Sequence, residues 1–101
     1  ILKTMDIQVK TNHNDKHGEF MLLVNGVASG KMTFVFTEKN VISVNHTGID
    51  EAFKGLGYGV YLMEEMVKFS RENELKVIPV CPYVVKMMDR TPDYQDVLYV
   101  K

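Results

Sequence analysis

The hydrophobic period of this chain changes once, and that change constrains its fold more than any other feature. Through residue 47 apolar residues alternate with polar ones in strand-like stretches, whereas from Tyr58 onward they recur at helical spacing. A chain of 101 residues buries roughly 60 to 70% of the surface its unfolded form exposes, which supports one core and not two. The expectation is a single domain over residues 1–101, a sheet with a helix laid across it.

In the first half, Met5, Ile7 and Val9 alternate with Asp6, Gln8 and Lys10 as in a half-buried strand. The polar stretch Thr11 to Gly18, rich in turn formers, reads as a loop. A second strand spans Glu19 to Val24, and Asn25-Gly26 signals a tight hairpin that needs positive φ. Strand three runs from about Val27 to Thr37. It places Met32, Phe34 and Phe36 on one face and Thr33, Val35 and Thr37 on the other, with Gly30 as a candidate bulge. After the turn Glu38-Lys39-Asn40, the β-branched run Val41 to Thr47 reads as strand four, completing an antiparallel meander.

The second half opens with an amphipathic helix, Tyr58 to Asn73, whose apolar stripe is Val60, Leu62, Met63, Met66, Val67 and Phe69. Lys76 to Cys81 is a continuous apolar run, expected as a fifth strand buried on both faces and parallel to strand four, although Pro79 removes a ladder donor. Pro82 suits the first position of a short helix to Arg90, and the tail from Thr91 to Val100 is apolar enough to dock on the core. The order β-β-β-β-α-β-α makes an α/β (α+β) domain, mostly antiparallel with one parallel junction between strands four and five. Ligands favour strand ends at such a junction.

Charge and cysteine count narrow the function. Twelve Lys and Arg against thirteen Asp and Glu leave a net charge of -1, with no overall grip on a nucleic-acid backbone. Cys81 is the single cysteine, so no internal disulfide forms and a reduced, cytoplasmic setting fits. No apolar run approaches the roughly 20 residues that span a bilayer. The stretch Ile1 to Asp6 lacks the basic-then-apolar order of a signal peptide. The expected state is a monomer or at most a weak dimer, without membrane or nucleic-acid partners.

Chemistry concentrates in Phe53-Lys54-Gly55-Leu56-Gly57-Tyr58-Gly59-Val60, where three of the seven glycines occupy alternate positions. Glycines let backbone amides approach a ligand, and a helix beginning there adds unpaired N–H groups and the positive end of its dipole. The segment therefore reads as a phosphate cradle. No acidic residue stands between Glu51 and Glu64, and Lys54 lies alongside, while Asp50 and Glu51 temper the field upstream. Glycine spacing alone fits a packing turn equally well. The segment lacks the Gly-Lys-Ser/Thr ending of a P-loop, and a preceding meander does not suit a dinucleotide fold.

Lys54-Gly55-Leu56-Gly57-Tyr58-Gly59 resembles the pyrophosphate motif Arg/Gln-x-x-Gly-x-Gly/Ala of GNAT acyl-CoA-dependent N-acetyltransferases. His46-Thr47, Pro79-Val80-Cys81 and Tyr94-Gln95-Asp96 extend the resemblance over nearly the whole chain, to short single-domain N-acetyltransferase-like proteins. The resemblance implies a minimal GNAT-like fold whose strands four and five splay apart around the pantetheine of acetyl-CoA. It carries cofactor contacts onto Thr47, Ile49, Lys54, Gly55, Leu56, Gly57, Tyr58, Gly59, Val60, Cys81, Pro82 and Tyr83, and requires no metal. Lys54 replaces the usual Arg or Gln, keeping charge but losing a forked donor. The two helices that larger relatives place after their first strand have no room here, which leaves the acceptor amine unidentified. Met88 falls where many larger relatives carry a general-acid tyrosine.

Cys81, just before Pro82, is expected near a helix N-terminus that favours its thiolate, as a nucleophile or acyl acceptor; a small buried hydrophobe is the equal alternative. His46 is expected within reach of Cys81, as a general base or as a structural hydrogen-bonding group. His13 and His17 share a His-x3-His spacing without supporting ligands, and Met63, Met66, Met87 and Met88 read as core filling. Tyr94 and Asp96 are expected to pin the tail. Two functions follow: an N-acetyltransferase acting on an amine, directly or through Cys81, or a CoA-binding or interaction module with little catalysis.

Overall fold

A computed structural model describes residues 5–100; Ile1 to Thr4, which carry most of the leader expectation, lie outside them. The strands are β1 (Ile7–His13), β2 (His17–Val24), β3 (Val27–Glu38), β4 (Val41–Ile49) and β5 (Lys76–Pro79). The helices are α1 (Gly59–Glu72) and α2 (Pro82–Arg90), with 3-10 turns at Glu51–Phe53 and Pro92–Val97. The sheet order is β1-β2-β3-β4-β5; the first three pairings are antiparallel and β5 lies parallel to β4. This is the expected α+β order.

The expected loop from Thr11 to Gly18 is instead a tight hairpin. β1 continues to His13, opposite Gly18, so only Asn14 to Lys16 turn. The Asn14 side chain organises that turn, its Oδ1 accepting from the amides of Lys16 at 2.8 Å and His17 at 2.9 Å. Polar residues conceal these strand ends because Thr11 to His13 and His17 lie in solvent and need no apolar alternation.

Asn25 and Gly26 adopt φ of 51° and 81°, the left-handed pair that a two-residue hairpin requires. The bulge expected at Gly30 falls one residue earlier. Leu22 pairs with Gly30 and Leu23 with Ala28, leaving Ser29 as the extra residue. A second bulge decides the site: Phe34 pairs with Val44 but Thr33 with His46, so Asn45 is extra. Val44 packs in the core beside Phe34; Thr47, opposite the buried Met32, faces the same side, and His46 faces away.

One face of the sheet carries the core. Phe20, Leu22, Met32, Phe34, Ile42, Val44 and Val77 pack against Leu62, Met63, Met66 and Val67 of α1, all at most 1% exposed. Each such side chain contributes about 1.5 to 3 kcal/mol. Val84 and Met88 of α2 join this core, as do Tyr94 and Val97 of the tail. The methionines of both helices therefore fill space rather than line a surface, Met87 being only partly buried.

The tail is pinned by side chains. Arg71 grips Asp96 with Nε and one terminal nitrogen, each at 2.8 Å, and that nitrogen also donates to the Asp93 carbonyl at 2.6 Å. The Tyr94 hydroxyl donates to Glu64 at 2.5 Å, and the Tyr99 amide donates to the carbonyl of Val77 at 2.9 Å, covering the outer edge of β5.

β5 is shorter than expected and only Val77 in it is fully buried, while Val80 is 55% exposed. Its pairing with β4 ends at Val44 opposite Pro79, where the proline offers no N–H. The carbonyl of Val44 then accepts from both Val80 and Cys81, each at 3.0 Å, as the chain turns into α2. β4 meanwhile continues with β3 to Ile49, so the two parallel strands part after Val44.

Candidate functional site

Beyond that split lies a cleft of about 790 Å³, within the range of small-molecule sites. One wall is the end of β4, through Thr47 and Ile49; the floor is the segment Phe53 to Gly59. The opposite wall is α2, which contributes Tyr83, Lys86 and Arg90.

The three glycines of the floor serve two different needs. Gly55 and Gly57 adopt φ of 79° and 78°, conformations that cost a residue with a Cβ about 1 to 2 kcal/mol, yet nothing lies within 4 Å of where a Cβ would stand. They shape the turn and leave space over it. Gly59 is a packing residue: a Cβ there would lie 2.5 Å from the Tyr83 hydroxyl and 2.8 Å from Cζ. This close contact sets the first turn of α1 directly against α2.

The amides from Gly55 to Tyr58 donate no backbone hydrogen bond, whereas those of Val60 and Tyr61 turn back to the carbonyls of Gly57 and Tyr58 at 3.3 and 3.1 Å. Among the described residues the Gly59 amide is free as well, so the free donors reach the first helical residue but stop short of Val60. No acidic residue occupies the first turn of α1. Lys54 lines the cleft, but its ammonium pairs with Glu51 at 3.0 Å, so its charge is already shared. Lys86 and Arg90 form no ion pair among the described residues.

Cys81 caps α2 at the inner end of the cleft and is 7% exposed. Burial pushes its thiol up, but the Thr47 hydroxyl and the amides of Val84 and Tyr83, all directed at the sulfur, together bring it below its usual range. The Thr47 Oγ1 is buried and has no hydrogen-bond partner among the described residues. Burial raises the pKa of Tyr83, and the nearby Cys81 thiolate raises it further.

Of the residues expected around a cofactor, the cleft gathers Thr47, Ile49, Lys54, Gly55, Gly57, Tyr58, Gly59 and Tyr83, with Cys81 packed behind Thr47. The side chains of Leu56, Val60 and Pro82 point into solvent. His46 is not brought to Cys81. The Asn45 bulge turns it to the helix-free face, into a shallow depression with Met21, Lys31 and Gly48. His13 is engaged elsewhere, its ring edge-on to Phe69 at 5.2 Å. Phe53, Lys86 and Arg90 were not expected. The last two were legible as a stripe, since Tyr83, Lys86 and Arg90 stand at i, i+3 and i+7 of one short helix.

A meander followed by one parallel strand, parted beside a glycine turn, defines the class: an N-acetyltransferase-like α+β fold. The chain belongs to the GCN5-related N-acetyl-transferase family, whose model matches residues 19–97. Among curated proteins it is similar to Protein NATD1 of Xenopus tropicalis, 25% identical over 91% of this chain and 87% of the relative. Human NATD1 is 22% identical over 83% of this chain and 75% of its own length. Among solved structures, a GCN5-like protein from Staphylococcus aureus superposes with a TM-score of 0.71 and 29% identity, over 93% of this chain and 89% of that one. A GNAT family acetyltransferase from Elizabethkingia anophelis, solved with acetyl-CoA bound, shares the fold with a TM-score of 0.64 and 9% identity, over 72% and 63% of the two chains.

Proposed function

We propose that this chain binds acetyl-CoA in the cleft between β4 and α2 and transfers its acetyl group to an amine. The observation that carries this is the parting of β4 and β5 after Val44 directly beside the glycine turn. Free amides from Gly55 to Tyr58 suit a pyrophosphate, and the apolar faces of Ile49, Phe53 and Tyr58 suit an extended pantetheine arm. The partnerless Thr47 hydroxyl, at the inner end, is a donor waiting for an acceptor. The residues present thus fit this cosubstrate, which supplies an acetyl group activated as a thioester.

The chain contributes binding and orientation. The glycine turn anchors the phosphate end, and Thr47 and Tyr83 flank the inner end, where Cys81 caps α2. His46 stands just past the strand split on the helix-free face, where an incoming amine meets it as a proton acceptor, with bound water as the alternative base. In the relay form, the Cys81 thiolate, favoured by its lowered pKa, attacks the thioester and releases the coenzyme A thiolate, and the amine then attacks the acetyl-cysteine, freeing the Cys81 thiolate and losing its proton to water.

A specific observation supports the second reading, a CoA-binding module with little turnover. Met88, at the position of a general-acid tyrosine in many larger relatives, is 2% exposed and packed in the core, so no proton donor projects from there. Calorimetric titration with acetyl-CoA, followed by a screen of polyamines, small amines and protein lysines, separates the two. Saturable binding with acetyl transfer supports the enzyme, saturable binding alone supports the module, and no binding overturns both. Mass spectrometry during turnover tests the relay, which an unmodified Cys81 contradicts.

A further inference from the structure

The cleft has two cationic resources of different kinds. At the floor, backbone amides before α1 offer fixed donors, and Lys54 there is neutralised in part by Glu51. At the outer wall, Lys86 and Arg90 lie one helical turn apart on the face of α2 that lines the cleft, exposed and without an acidic partner among the described residues. Neither supports the fold: both side chains are solvent-facing, while the buried residues of α2 are Val84 and Met88. Two adjacent cations facing a cleft, with no structural task and no ion-pair partner among the described residues, indicate a second anion separate from the one at the glycine turn.

Distance along α2 identifies where that anion belongs. The helix has nine residues after its cap at Cys81, so at 1.5 Å per residue Lys86 stands roughly 7 Å and Arg90 roughly 13 Å from the inner end of the cleft. The same stripe begins with Tyr83, packed against Gly59. The inner end is therefore apolar and hydroxyl-lined, and positive charge appears only toward the mouth. A ligand carrying its reactive group inward and its phosphates outward matches this gradient. Coenzyme A has two phosphate stations, a pyrophosphate bridging to the pantetheine and a monoester on the ribose. The pyrophosphate suits closely spaced amides. The monoester carries about -1.5 to -2 charge at neutral pH and suits mobile side-chain cations.

The geometry points to Lys86 and Arg90 as the pair that receives the 3′-phosphoryl group of coenzyme A, making this protein selective for the 3′-phosphorylated cosubstrate over its dephospho form. This rests on the acetyl-CoA reading of the cleft and deepens it. Arg90 supplies a planar fork for two phosphoryl oxygens and Lys86 a point charge one turn inward. Asp89, beside Arg90 on the exposed surface, limits the net field to that of a single excess cation. Since the pair is solvent-exposed, its effect is moderate and falls with salt.

The test compares acetyl-CoA with acetyl-3′-dephospho-CoA by calorimetry, on the wild-type chain and on a K86Q/R90Q double variant. Because both positions are exposed, circular dichroism and melting of the variant serve as the check that it folds. The wild type is expected to bind acetyl-CoA about tenfold more tightly at low salt, the preference shrinking as salt rises. The double variant is expected to bind the two forms alike. Equal affinities in the wild type, or an undiminished preference in the folded double variant, overturn the assignment while leaving the acetyl-CoA reading intact. If neither form binds the wild type, both fall together.

Discussion

Thr47 offers a substitution whose sign distinguishes a ligand-facing hydroxyl from an ordinary strand residue. Its Oγ1 is buried without a hydrogen-bond partner among the described residues, while its neighbours across the sheet are core residues such as Met32. An unmet buried hydroxyl costs about 1 to 3 kcal/mol, and valine keeps the shape and suits a strand. Thr47→Val is therefore expected to stabilise the free protein by about 1 to 2 kcal/mol. For a domain of this size each kcal/mol raises the melting temperature by about 4 to 8 °C. Thr47→Ser, which keeps the hydroxyl and loses the methyl, is expected to destabilise by about 1 kcal/mol.

The same change acts on Cys81. Without the Thr47 hydroxyl, burial has less opposition and the thiol pKa rises. The thiol has its folded-state pKa below the unfolded value, so its ionisation contributes stability above the unfolded pKa and loses it as pH falls through the folded one. Melting at mildly acidic pH therefore isolates the hydroxyl effect. Thiolate absorbance and alkylation rate across the pH range then follow Cys81, and both titrate at higher pH in the valine variant. A valine variant less stable than wild type refutes the assignment of Oγ1 as partnerless, and an unshifted thiol titration refutes its action on Cys81.

Gly57→Glu forces a side chain into a left-handed conformation and sets a carboxylate at the proposed pyrophosphate site, so calorimetry is expected to show acetyl-CoA binding lost while Gly57→Ala folds with a cost of about 1 to 2 kcal/mol. Gly59→Ala places a Cβ against the Tyr83 hydroxyl, and denaturant unfolding is expected to show about 1 to 3 kcal/mol of destabilisation, partly recovered with Tyr83→Phe. Asp96 is held below its ordinary value of 3.8 chiefly by the Arg71 guanidinium. Its contribution to tail docking is thus full above that value and lost as pH falls through the folded pKa. Hydrogen exchange in the Tyr94 to Tyr99 segment is expected to quicken in acid, and Arg71→Ala to abolish that dependence.

Much of the fold was legible because its periods are clean. The alternation of Met32, Phe34 and Phe36, the helical stripe from Leu62 to Phe69 and the Asn25-Gly26 hairpin each carry a local signal that tertiary packing reinforces. The hairpin from His13 to His17 was hidden because exposed strand ends have no apolar face to alternate. The Asn45 bulge was hidden because a one-residue insertion leaves no mark on composition, yet it sends His46 away from Cys81 and brings Thr47 toward it. At the site, the glycine turn was visible, but the separate tasks of Gly57 and Gly59 depend on Tyr83, distant in sequence. Lys54 drew notice through its place in the motif, whereas the uncommitted charge lies on Lys86 and Arg90, reached only by folding α2 onto the cleft.

The central claim is that the glycine turn and the strand split together hold acetyl-CoA. Titrating the isotopically labelled chain with acetyl-CoA and following its backbone amides by NMR tests both parts in one experiment. Saturable shifts are expected at Gly55 to Tyr58, at Thr47 and at Cys81, with β1 and the Arg71–Asp96 clasp unmoved. An unchanged spectrum, or shifts confined to the helix-free face around Lys31 and His46, would contradict the account.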